Sequence, residues 1–108
     1  MKKDKLPVHF LSIKRKQRKF FNAVDRLGKV AREEGPLDEK TAHLIQLGAA
    51  TALRSEGAVH SHTRRALQSG VNNEEIIHAI LLLTTTVGFP TVAAALSWAD
   101  DVMSENEG

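Results

Sequence analysis

Apolar residues recur at spacings of three and four along most of the chain. Phe20, Val24, Leu27 and Ala31 form one such stripe, widened by Phe21, while Lys14, Arg15, Lys16, Arg18 and Lys19 crowd the other faces. That period predicts a first helix from about Phe10 to Glu34, stopped by Gly35-Pro36. A second helix is predicted from Asp38, a candidate N-cap, to about Arg54, and no charge appears between Lys40 and Arg54. A third runs from about Ser55 to Ser69, with Gly70 placed to end it. Asn72-Asn73-Glu74-Glu75 opens a fourth, with Asn72 as cap and Glu75 in the capping-box position, and it continues to about Val87. A fifth starts at Pro90, which suits a first helical turn, and ends near Met103, leaving Ser104–Gly108 as a frayed acidic tail. Strict alternation rich in β-branched residues is missing, so no strand is predicted.

The uncharged run from Ile76 to Ala99 is long enough to span a bilayer. It contains His78, Thr84-Thr85-Thr86 and the breaker Gly88-Phe89-Pro90, so two shorter buried helices fit it better than one span. The second, fourth and fifth helices are each apolar over most of their circumference. One domain of 108 residues has too much surface for its volume to hide all of that inside a monomer. The expected fold is therefore all-α, a compact bundle of five to six helices in one domain over 1–108, assembling as a homo-oligomer. A monomer with scattered apolar surface is the competing reading.

Composition narrows the chemistry. The chain has no cysteine, which removes disulfides, thiolate metal sites and thiol nucleophiles. No secretory h-region follows Met1-Lys2-Lys3-Asp4-Lys5, and a cytoplasmic protein is expected. Residues 1–34 hold eleven Lys/Arg against four Asp/Glu, a net of +7, and residues 35–108 hold four against nine, a net of −5. The basic front either forms the wet face of a helix or meets an acidic partner.

With no cysteine or tyrosine and five histidines, histidine is the obvious carrier of chemistry near neutral pH. His9 lies in the ragged start and looks incidental. On the third helix, at roughly 100° per residue, Ala58, Val59, His62, Ala66 and Ser69 fall within about 50° of one inward line. His60 lies about 200° from His62, so His60-Ser61-His62 is not a chelating pair, and His60 is expected at the solvent or at a subunit contact. His43 aligns with Leu47 and Ala50, and His78 with Leu81, Leu82 and Thr85. Any one of His43, His62 and His78 could be a satisfied core histidine, with Ser55 or Thr85 among its partners. Three on three apolar helices suggest one shared pocket. It would serve as a general acid/base site with His62 carrying the proton and His43 or His78 fixing its tautomer, or as a three-imidazole metal site.

The order Leu37-Asp38-Glu39-Lys40-Thr41, apolar helix, His62-Thr63-Arg64-Arg65-Ala66-Leu67, Gly70-Val71, Glu74-Glu75-Ile76 and Gly88-Phe89-Pro90 resembles the carboxymuconolactone decarboxylase family, which includes the alkylhydroperoxidase D-like proteins. The likeness covers residues 37–103. It implies an all-α fold of about six helices, assembled as trimers or hexamers. It further implies that the two cysteines of the family's thiol branch fall at Ser55 and Ala58, its relay glutamate at His43 and its histidine at His62. His78 stands where an acidic residue is common. Without thiols a peroxide-reducing cycle has neither nucleophile nor resolving group, so peroxidase activity is not expected. The decarboxylase branch needs no cysteine, because a histidine at the base of an apolar pocket can protonate the carbon that loses carbon dioxide.

The expected function is thus a cofactor-independent lyase or isomerase acting on a small organic acid through His62, with His43, His78 and Ser55 as further site residues. Arg54, Arg64 and Arg65 are candidate cations for the acid, or solvated arginines of a helix face. One alternative is a metal-dependent enzyme built on His43, His62 and His78. Another is a non-catalytic module that holds nucleic acid or an acidic protein on Lys14-Arg15-Lys16-Gln17-Arg18-Lys19. The main partners expected are further copies of the chain, as a homotrimer or homohexamer, and a small-molecule substrate; neither nucleic acid nor a membrane is the expected partner.

Overall fold

The computed structural model describes residues 8–107, all of whose regular structure is helical. The chain divides into two compact units, residues 1–38 and 39–108.

The first unit holds α1 (Val8–Lys16) and α2 (Arg18–Glu33). The single helix expected over 10–34 is interrupted at Gln17, with φ −116° and ψ 47°. Lys14–Arg18 and Arg15–Lys19 are like-charged pairs four residues apart, which repel along a continuous helix. The hydrogen-bond ladder survives on both sides: Gln17 N–H donates to the Ile13 carbonyl and Phe21 N–H to the Gln17 carbonyl. On α2 the apolar stripe is well formed, yet the helix buries none of its residues.

The second unit holds α3 (Glu39–Ala52), α4 (Glu56–Gln68), α5 (Asn73–Leu81), α6 (Thr84–Val87) and α7 (Phe89–Glu107). Its most extensive helix pairings are α3 with α4 and α4 with α7. The core joins Leu47 and Ala50 of α3, Val59 and Ala66 of α4, Val71 of the connection between α4 and α5, Ile76 and Ile80 of α5, and Val92, Ala95, Ala99 and Met103 of α7. Each fully buried large aliphatic contributes about 1.5–3 kcal/mol relative to exposure.

The connections follow from local chemistry. At the end of α4 the Val71 N–H donates to the Ala66 carbonyl and the Gly70 N–H to the Leu67 carbonyl. This is a Schellman closure, and it requires the φ of +102° that Gly70 adopts. The end of α3 repeats the pattern: Ser55 N–H donates to Ala50 and Arg54 N–H to Thr51. Here the left-handed position is occupied by Arg54, φ +53°. Asn72 and Glu75 form the reciprocal capping box expected of them.

The fourth helix ends earlier than its period suggests, after Leu81. Thr84 Oγ1 donates to the Leu81 carbonyl at 2.8 Å, and a side chain that takes a helix carbonyl competes with the continuing ladder. α7 begins after Gly88, φ +93°, and runs through Ser104 to Glu107 where a frayed tail was expected. Among the described residues, no helix is long and apolar enough to cross a membrane.

Candidate functional site

His43 sits where the helix period puts it. It is buried on α3 with Leu47, Ala50 and Thr51, and its Nε2 is 4.0 Å from Glu39 Oε2, one turn earlier and exposed. His62 lies on α4, half-buried. The buried residues of α4 are Val59, Thr63 and Ala66, so the inward line is rotated toward Thr63 and His62 stands at its edge. The Nδ1 atoms of His43 and His62 are both shielded from solvent.

His78 departs from expectation. It is exposed on α5, because the face that enters the core carries Ile76 and Ile80. Its neighbours Leu81 and Leu82 are 46% and 63% exposed. The helix is apolar over most of its circumference, and within one chain only the side with Ile76 and Ile80 is buried. The set His43, His62 and His78 therefore forms no shared buried pocket in one chain. It is also not among the groups whose metal-binding atoms all lie within 4.8 Å of one another.

Ser55 has a structural duty. It is the N-cap of α4, its Oγ accepting from Ala58 N–H at 3.3 Å, and its N–H closes α3 as described above. Of the candidate cations, Arg54 is exposed and donates to Thr91 Oγ1 at 2.8 Å, Arg64 is half-buried and Arg65 is exposed.

Two features escaped the sequence reading. Thr51 and Thr63 are fully buried, and neither hydroxyl has a hydrogen-bond partner among the described residues. Gln46 Oε1 is a third such atom. Together with His43 they put shielded polar groups on α3 and α4, in a unit whose buried residues are mostly aliphatic. Buried polar atoms lacking partners are uncommon and cluster where function overrides stability. For Gln46 and Thr51 the signal is their place inside the uncharged run between Lys40 and Arg54, whereas Thr63, followed by Arg64 and Arg65, carries no such signal. The second feature is His60, whose Nε2 lies 2.9 Å from Asp101 Oδ2 of α7, a contact that no helical period encodes.

The model of the family described as "Carboxymuconolactone decarboxylase family" matches residues 18–101. Among solved structures, an apo carboxymuconolactone decarboxylase family protein from Legionella pneumophila is similar, with a TM-score of 0.73 and 21% identity over 90% of this chain and 86% of that one. No curated protein matches.

Proposed function

Because the chain belongs to the carboxymuconolactone decarboxylase family, we propose that it is a thiol-free lyase that decarboxylates, or isomerises, a small organic acid with His62 as general acid/base. The observation that carries this reading is the placement of His62: half-buried at the edge of the α4 core face, with Nδ1 sealed from water. A ring with one dry nitrogen and a partly accessible body can be held in one orientation while it meets a substrate. The chain carries no cysteine, so the family's peroxide chemistry has no sulfur here on which to run.

In the decarboxylation, the bond between the substrate carbon and its carboxylate breaks. Its electron pair is left on that carbon or on a carbon conjugated with it, carbon dioxide leaves, and the imidazolium of His62 delivers a proton to the carbon that holds the pair. Water returns the proton to the ring. His43, on the helix packed against α4, is the residue we assign to orient His62. Arg54, Arg64 and Arg65 are the cations available to an anionic substrate. No cofactor is required by this scheme.

The direct test is release of carbon dioxide from carboxymuconolactone by the purified chain and by His62→Gln, a ring-free polar variant. Turnover by the parent chain and its loss by at least 100-fold in the variant, with helicity retained, is expected. Equal rates in the two would overturn the assignment.

The active form is a homo-oligomer in this reading. Supporting it are Phe20, Val24 and Leu27, exposed along one stripe of α2, and Leu81, Leu82 and Phe89, exposed in the second unit. The +7 and −5 charge of the two parts of the chain favours contact between unlike parts of different copies.

A further inference from the structure

We propose that Glu56, His60 and Asp101 form a binding site for a divalent transition-metal ion that bridges α4 and α7, separate from the His62 chemistry and independent of it. Glu56 and His60 are four residues apart on α4 and share one face of it. Asp101 comes from α7, which packs on α4. Each residue offers one ligand atom, and the three atoms lie within 4.8 Å of one another. His60 Nε2 and Asp101 Oδ2 are already 2.9 Å apart.

Those separations match coordination. Ligands at about 2.0–2.2 Å from one ion sit roughly 2.8–3.6 Å apart in octahedral or tetrahedral arrangement. The His60–Asp101 pair is at that spacing now, and the Glu56 ligand atom lies within 4.8 Å of both. One imidazole nitrogen with two carboxylate oxygens suits zinc, manganese or ferrous iron, whereas calcium prefers an all-oxygen shell. Two carboxylates balance the charge of a divalent ion. Partial exposure of the side chains, 27% at His60 and 57% at Asp101, leaves open positions for water or a ligand. As a plain surface ion pair the same contact would stabilise little.

The test is calorimetric titration of the full chain, without a histidine tag, with zinc chloride and manganese chloride. Saturable binding of one ion per chain is expected. His60→Ala and Asp101→Asn, both at partly exposed positions, should each weaken it at least tenfold, while His62→Ala and His78→Ala leave it within twofold. Binding that does not saturate, or that survives His60→Ala and Asp101→Asn unchanged, would overturn the site. So would loss that is equal in the His62→Ala and His78→Ala variants.

Discussion

Replacing Thr63 by Val tests the polar atoms of the core. Thr63 is fully buried on α4 between Val59 and Ala66, and its Oγ1 has no hydrogen-bond partner among the described residues. A buried hydroxyl without a partner carries a desolvation cost of about 1–3 kcal/mol. Valine keeps the shape, replaces the hydroxyl by a methyl and removes that cost. With no bond lost, the variant should be more stable by about 1 kcal/mol, which raises the melting temperature of a unit this size by about 4–8 °C. The assay is thermal and urea denaturation followed by circular dichroism, at one fixed protein concentration because self-association would shift the midpoint. Leu47→Ala is the control of opposite sign. Leu47 is fully buried in the same core, and its truncation should cost about 2–5 kcal/mol. A loss of 1 kcal/mol or more in Thr63→Val would refute the reasoning, since it would mean that the hydroxyl makes a bond worth more than its burial costs.

Other outcomes follow from the caps and the exposed faces. Asn72→Ala removes one side of the capping box and should cost about 1 kcal/mol in urea unfolding. Gly70→Ala should cost about 1–3 kcal/mol in the same assay, because φ is +102°. The added Cβ would meet only the flexible Lys40 stem, so the penalty lies in the backbone. Phe20→Asp combined with Leu27→Asp changes two exposed residues of α2. It should shift the sedimentation coefficient toward a smaller species, and an unchanged coefficient would remove α2 from the interface.

Much of the architecture could be read from local chemistry. Gly70, the Asn72–Glu75 pair and Gly88-Phe89-Pro90 mark their turns because each satisfies a backbone demand within a few residues. His43 was placed correctly because α3 buries one face that Leu47 and Ala50 also mark. His78 was misplaced for a different reason. An uncharged helix gives no contrast between its faces, so periodicity could not separate Ile76 and Ile80, which enter the core, from Leu81 and Leu82, which do not. The break at Gln17 reflects repulsion between cations that apolar period does not weigh. His60 and Asp101 are 41 residues apart, and only the packing of α4 on α7 brings them together. Ser55 looked chemical because of the position it occupies in the resemblance, while its oxygen closes the turn between two helices.

Decarboxylation of carboxymuconolactone in heavy water tests the role of His62 most directly. A proton delivered by a fixed ring arrives on one face of the carbon, so the product should carry a single deuterium of one configuration, and His62→Gln should form it no faster than buffer does. Deuterium distributed over both faces, or an undiminished rate in the variant, would contradict delivery by that imidazole.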